Sequence, residues 1–167
     1  MRIVSLSELC RSCGLCCDGN LFSHVPLQSS EADAARRNGL DVVALADGSP
    51  AVRQGCTALK GRQCSLYAER PEGCRRFGCH LFNELAGERV SFEQALAVVE
   101  QAHALLSAVE RCLGPDTDSP SSSVMERARF SAWGEDDESS SGTRAARERA
   151  EAFLDEHFHG GPRCFAG

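Results

Sequence analysis

The sequence predicts an α+β fold, in which a small irregular cysteine-rich domain precedes a long packing helix and C-terminal helices. Three observations predict it. Eight of the ten cysteines lie between Cys10 and Cys79. Short strand-like runs separated by turn residues occupy residues 21–53. After residue 90 apolar residues recur at helical spacing and cysteines become sparse.

Charge and hydropathy exclude several classes of protein. The net charge is −6, so a generally basic nucleic-acid binder is not expected. Residues 1–90 carry a net charge of +1 and residues 91–167 a net charge of −7, which makes the acidic C-terminal half a candidate surface for a protein partner. No run approaches the roughly 18 apolar residues that span a bilayer, and no signal-peptide pattern opens the chain. We expect a cytoplasmic protein with no membrane segment.

The first predicted elements are a short strand and a short helix. Residues 21–27 are predicted as the strand. Either Ser29 or Ser30 can cap a helix that runs to about residue 38, because a serine side chain accepts hydrogen bonds from the first helical N–H groups. Gly39 suits the position just after the end of this helix.

Two further strands and an irregular segment follow. Residues 41–45 and 51–53 are predicted as strands joined by the turn residues 47–50. Residues 55–80 show little periodicity, and cysteines recur there between glycine, proline and arginine.

Residues 91–113 give the clearest helix of the chain. Ser91 and Gln94 form a capping box at its start. Gly114 and Pro115 end it. We expect this helix to pack on the cysteine-rich domain.

The remaining chain alternates acidic, serine-rich stretches with helices. Residues 114–142 are predicted as a linker that contains a short helix over residues 124–133, anchored to the core by Phe130 and Trp133. Residues 143–167 are predicted as a C-terminal helix and tail.

The cysteine spacing predicts metal binding. In a C-x2-C segment the two intervening residues form a turn, which brings both sulfurs within reach of one ion. The run Cys10, Cys13 and Cys16 is also the spacing that iron–sulfur clusters use. A disulfide scaffold is not expected in the cytosol, where thiols stay reduced. Because residues 55–80 have too few apolar side chains to order themselves, the domain at residues 1–90 is predicted to be metal-nucleated.

The position of Cys17 limits how the eight thiolates could be divided among metal sites. Adjacent side chains diverge by about 100° in a helix and 180° in a strand, so Cys16 and Cys17 are not expected to bind one mononuclear ion together. They would bind different metals, or one of them would stay a reactive thiol. The eight cysteines suffice for two four-thiolate sites, one binuclear cluster, or one four-thiolate cluster with spare thiols. Arginines among the downstream cysteines are candidates to offset the negative charge or to form a solvated basic face: Arg62, Arg70, Arg75 and Arg76.

These motifs resemble the YkgJ family of cysteine-cluster proteins, the CxxCxxCC family, which is described as chelating zinc or iron. The resemblance covers about residues 8–82. It implies Zn²⁺ or Fe as the cofactor and no settled reaction, while the C-x2-C-x2-C spacing adds a 4Fe–4S cluster as an alternative. The motifs that carry it are Cys10-x2-Cys13-x2-Cys16-Cys17, Cys56 after a glycine, Cys64-Ser-Leu-Tyr67 with Arg70-Pro71, and Cys74-Arg-x-Phe77-x-Cys79. The metal ligands that it implies are Cys10, Cys13, Cys16, Cys17, Cys56, Cys64, Cys74 and Cys79.

Three functions fit this chemistry. The first is a structural metal module whose helix and acidic tail bind a protein partner. The second is an iron–sulfur or iron protein in redox chemistry or catalysis, with Cys17 as the spare thiol. The third is a carrier or store of zinc or iron.

Cys112 and Cys164 are not expected to be ligands. No Ser/His/Asp set, paired carboxylates or phosphate loop stands out, so no reaction is assigned.

Overall fold

The structure, a computed structural model, describes residues 2–113, 123–131 and 138–160. The chain divides into two compact units. The cysteine-rich unit comprises Cys10–Gly78, and the helical unit comprises Met1–Leu9 and Cys79–Gly167. Helices and small sheets are both present, so the predicted α+β class is confirmed.

Short elements build the cysteine-rich unit. Helix α1, Arg2–Cys13, ends inside it. The later elements are strand β1 (His24–Pro26), a 3-10 turn (Ser29–Glu31), helix α2 (Ala32–Arg37), strands β2 (Val42–Ala44), β3 (Pro50–Arg53), β4 (Leu59–Lys60) and β5 (Gln63–Cys64), a second 3-10 turn (Tyr67–Glu69) and helix α3 (Glu72–Arg76).

Strand β3 is the centre of a three-stranded antiparallel sheet in the order β1-β3-β2. Val52 of β3 is opposite Val25 on one side and Val42 on the other. Strands β4 and β5 form a separate hairpin. One small apolar cluster lies in this unit, and the half-buried Cys56 and Cys64 pack against it; its buried members are Leu27, Ala32, Ala35, Leu40, Val52 and Ala58.

The predicted strands and helix of this unit are largely confirmed. The strand expected over residues 21–27 is shorter, at His24–Pro26. The helix expected from Ser29 begins as a 3-10 turn and continues as α2, and Gly39 follows it with a left-handed φ of 78°. Helices α1 and α3 and the β4–β5 hairpin were not predicted. Elements of two to five residues are too short to show periodicity, and the cysteines of α1 mask its helical spacing.

Longer helices form the helical unit. These are α4 (His80–Ala86), α5 (Phe92–Cys112), α6 (Val124–Ser131) and α7 (Glu138–Leu154), which runs into a π-helical turn (Asp155–His159). Helices α5, α6 and α7 pack on one another, and α4 contacts α5 and the π-helical turn. Large buried side chains of this core are Val99, Leu106, Val109, Met125, Leu154 and Phe158. No helix in the described residues is long and apolar enough to cross a membrane.

The helix predicted over residues 91–113 is confirmed as α5, including its capping box. The Ser91 hydroxyl accepts from the Gln94 N–H at 3.1 Å, and the Gln94 side chain accepts from the Ser91 N–H at 2.8 Å. Two other predictions are wrong. Helix α7 begins at Glu138, inside the predicted linker. Phe130 is 64% exposed, because Met125 and Ala128 form the buried face of α6.

Several predictions lie outside the described residues. These are the anchoring role of Trp133, the linker over residues 114–122 and 132–137, and the tail after residue 160.

We expect replacement of Phe158 by alanine to lower the free energy of unfolding by about 3–5 kcal/mol, because a large side chain that is 2% exposed leaves a cavity. The matched control is Phe130→Ala on the 64% exposed ring, with an expected change below about 0.5 kcal/mol. Urea unfolding followed by far-UV circular dichroism measures both. Equal losses in the two variants would contradict the core assignment.

Candidate metal centre

The first cysteine run bends sharply at a glycine. The turn predicted between Cys10 and Cys13 is wrong, because both lie on helix α1. They are three residues apart there, so they share one face of the helix. Helix α1 ends at Cys13, and Gly14 has a left-handed φ of 72°. The Gly14 carbonyl accepts from the N–H groups of Cys17 at 2.9 Å and of Asp18 at 3.0 Å. The chain changes direction at this tight turn, so the end of the cysteine run does not continue along the axis of α1.

Gly14 also allows a close approach between two backbone segments. A Cβ at this position would lie 3.1 Å from both Cα and the carbonyl oxygen of Arg62. Arg62 lies between β4 and β5, and β5 ends at Cys64. A side chain at residue 14 would therefore push the cysteine turn away from the hairpin that carries Cys64.

Backbone hydrogen bonds join the next two cysteines to this turn. The Cys56 N–H donates to the Cys17 carbonyl at 2.8 Å. The N–H groups of Ala58 and Leu59 donate to the Cys56 sulfur, an arrangement that stabilises a thiolate. Leu59 is paired with Cys64 across the β4–β5 hairpin. Cys17, Cys56 and Cys64 are thus tied together through the main chain.

Four thiols from four segments form one electrostatic group. Every pair among Cys17, Cys56, Cys64 and Cys74 lies within range of charge interaction. Burial, and then the charges of the neighbouring thiols, raise the pKa of Cys17 to about 12 and that of Cys74 to about 11. Burial also raises the pKa of Cys56. A cation at this group would relieve the repulsion that opposes ionisation.

A carboxyl group adds to the negative charge at Cys17. Burial raises the pKa of Asp18 to about 6, although the Asn20 N–H donates to its carboxylate at 2.9 Å. The charge of Asp18 in turn raises the pKa of Cys17. Asp18 lies outside every cysteine spacing, so no metal-ligand pattern in the sequence singles it out.

Among the four candidate arginines, Arg70 acts on a thiol of the group. Its guanidinium lies 3.7 Å from the centroid of the Tyr67 ring, and its Nε donates to the Tyr67 carbonyl at 3.0 Å. The positive charge of Arg70 lowers the pKa of Cys74 against the effect of burial. Arg75 donates to main-chain carbonyls, and Arg76 pairs with a carboxylate of its own helix at 2.8 Å.

The other cysteines have different positions. Cys10, Cys13 and Cys16 belong to the same unit as the group of four. Cys79 lies in the helical unit as the N-cap of α4, where its sulfur accepts from the Phe82 N–H at 3.4 Å and burial raises its pKa. Cys112 is exposed on α5, and Cys164 lies outside the described residues.

Whether a metal could bind here depends on the donor atoms that the side chains offer. Within the described ranges, no three His, Cys, Asp or Glu side chains stand close enough together to hold an ion as they are. The group of four thiols nevertheless has the donor type and number that a zinc or iron site requires. The N–H groups at Cys56 and the charge of Arg70 supply the outer contacts that such a site needs. The residues therefore fit a thiophilic metal.

Comparison with known proteins identifies one family. Residues 9–112 match the CxxCxxCC family, described as a "putative zinc- or iron-chelating domain". No curated protein and no solved structure matches the chain. The match covers more than half of the chain and confirms the resemblance seen in the sequence.

We expect the reduced, metal-free protein to lose stability as the pH rises above about 9. The folded-state pKa values of Cys17 and Cys74 lie above the ordinary thiol value of 9.0, so the folded state holds protons that the unfolded state releases. Their contribution is present below pH 9 and is lost as the pH rises towards 11–12.

Urea unfolding between about pH 8 and pH 10.5, with a chelator and a reductant present, measures this loss. The double variant Cys17→Ser, Cys74→Ser is the control, and its stability should depend less on pH over the same range. A wild-type stability that stays level or rises would contradict the group of buried thiols.

Proposed function

The chain belongs to the CxxCxxCC family, and we propose that it chelates zinc or iron through cysteine thiolates, mainly to stabilise its fold. The ligands are drawn from the eight predicted cysteines. Cys17, Cys56, Cys64 and Cys74 form one ligand set among them. The metal-loaded protein serves a structural or partner-binding role, with the acidic C-terminal half as the surface for a protein partner.

The main support for the proposal is that each of four thiols lies within range of charge interaction with the other three. They come from four separate segments: the turn after α1, the loop before β4, strand β5 and helix α3. Four thiolates are the complete ligand set of a closed structural zinc site. They would also hold one iron.

A structural role is supported by how little else orders this unit. Its strands are two to four residues long, and its large buried apolar side chains are aliphatic, Leu15, Leu21 and Val52 among them, with no aromatic ring of residues 10–78 buried. Such short strands and so small a core contribute little stability by themselves. Metal binding to thiolates supplies folding free energy directly, because the unfolded chain has no preformed site.

An iron–sulfur function is the second candidate, and the remaining cysteine run favours it. Cys10, Cys13 and Cys16 have the C-x2-C-x2-C spacing of a cubane cluster and belong to the same unit as the four thiols. In this alternative the protein works in redox chemistry or catalysis. The grouping of Cys17 with three other thiols argues against the expectation that Cys17 is the spare thiol.

Metal and acid-labile sulfide content per chain, on protein purified without oxygen, is the test that separates the two. One or two zinc ions or single irons, without sulfide, would support the structural proposal. About four irons with about four sulfides per chain would favour the cluster alternative. Protein that folds and carries neither metal nor sulfide would refute both.

We expect Cys74→Ser to remove about one bound ion per chain, because a closed site that loses one of four thiolates binds weakly. Cys17→Ser should do the same. Cys112→Ser is the matched control, since this thiol is exposed on α5 and is outside the group. Cys13→Ser reports separately on the first cysteine run. Elemental analysis of the purified variants measures the effect, and equal losses at Cys74 and Cys112 would contradict the assignment.

We expect chelation to unfold the cysteine-rich unit and to leave the helical unit folded. The helical unit has an apolar core that includes Val99, Leu106 and Phe158, so its order does not depend on thiolates. Hydrogen exchange before and after metal removal should show lost protection in residues 10–78 and retained protection in α5. Unchanged protection in residues 10–78 would refute the structural role. Metal that exchanges with a competing chelator within minutes would point to a carrier instead.

A further inference from the structure

Helix α3 carries Cys74 but is too short to hold its own orientation. It spans Glu72–Arg76, and Cys74 is its third residue. A helix of five residues gains too few internal hydrogen bonds to offset the cost of its nucleation. The direction of the Cys74 side chain must therefore be set by contacts from outside the helix.

One such contact is made with strand β1. A Cβ at Gly73 would lie 2.7 Å from the Pro26 carbonyl oxygen and 2.8 Å from Cγ1 of Val25. The helix therefore lies directly on the strand, and only glycine allows it. This contact fixes the distance of α3 from the sheet, but it includes no directional bond.

At the end of α3, Arg75 donates to the carbonyls of Ala68 and Arg70; at its start, the directional bonds come from a carboxylate 41 residues earlier in the sequence. Oε1 of Glu31 accepts from the Glu72 N–H, the first of α3, at 2.8 Å. Oε2 of Glu31 accepts from the Gln28 N–H at 3.1 Å. The Gln28 side-chain amide donates to the carboxylate of Glu72. Gln28, Glu31 and Glu72 thus form a closed set of hydrogen bonds between the first 3-10 turn and helix α3.

The charge of Glu31 does not favour the neighbouring thiolate. It raises the pKa of Cys74, as do Cys56 and Cys64. The benefit of this carboxylate to the site therefore comes from its two hydrogen bonds, which pair main-chain N–H groups that would otherwise lack intrahelical partners.

We propose that Glu31 is a positioning residue for Cys74: its carboxylate holds the start of α3 so that the Cys74 sulfur stays in the four-thiolate ligand set. This inference rests on the proposed function. It assigns a role in metal binding to a residue that is itself no ligand and lies outside every cysteine motif.

The test uses the full-length chain, reduced and metal-free, titrated with Co²⁺ without oxygen. Tetrahedral Co²⁺ with thiolate ligands has visible bands and thiolate charge-transfer bands that report the number of sulfurs bound. In Glu31→Ala the charge-transfer intensity should fall by about a quarter, since one thiolate of four is lost. The affinity for Co²⁺ should fall about 10- to 100-fold, as is usual when an outer contact of a site is removed.

Two further variants separate positioning from general destabilisation. Asp33→Ala is the matched control, because this carboxylate is exposed on α2 and pairs with Arg36 of the same helix at 3.1 Å. It should keep the wild-type spectrum. Glu31→Gln keeps one acceptor oxygen, so it should bind Co²⁺ with intermediate affinity. A thiol-reactive aromatic disulfide should modify one more thiol in Co²⁺-loaded Glu31→Ala than in the wild type, and that thiol should be Cys74.

The outcomes separate this inference from the proposed function. A wild-type protein that gives no four-thiolate Co²⁺ spectrum would refute the proposed ligand set itself. A wild-type spectrum that Glu31→Ala leaves unchanged would refute the role of Glu31 alone. If Glu31→Ala does not fold, the same measurements on Glu31→Gln test the role of Glu31. Wild-type affinity and wild-type thiol protection in Glu31→Gln would overturn the inference.

Discussion

The grouping of four partly buried thiols is the constraint on which the cysteine-rich unit depends, because burial first, and then the charge of each neighbouring thiolate, opposes their ionisation. Cys17, Cys56, Cys64 and Cys74 lie within range of one another in partly buried positions, so ionisation of each makes the next one harder. Without a cation the group stays protonated and contributes only weak packing. With a thiophilic cation the same proximity becomes attraction through a shared centre, and the four segments are held by it.

The unit reaches this proximity through close backbone approaches in place of a large core. Gly14 lets the first cysteine turn approach the main chain at Arg62, and Gly73 lets α3 lie on strand β1. Neither contact has room for a side chain. The sheet beneath is short, and its central residue, Val52, is 1% exposed. Small residues and main-chain hydrogen bonds therefore set the positions of the thiols, with few apolar side chains to assist them.

The helical unit is stabilised by different interactions. Its order comes from apolar packing among α5, α6 and α7, with a capping box at the start of α5 and ion pairs between neighbouring helices, such as Arg129 with Glu151 at 3.0 Å. Arg127 pairs with Glu110 at 2.8 Å in the same way. One chain thus combines a unit whose order we assign to metal with a unit that is stabilised like an ordinary helical bundle.

The sequence by itself determined the features that depend on local chemistry. These are the α+β class, the strands around residues 41–53 and helix α5, since capping residues and periodicity act over a few positions. The short helices α3 and α4 and the early start of α7 gave no such signal. Only the tertiary structure decided which thiols form a group, because Cys17 and Cys74 are brought together by contacts between segments far apart in the chain. For the same reason only the structure connects Glu31 to Cys74. A hydrogen bond between residues 41 positions apart produces no recognisable spacing pattern in the sequence.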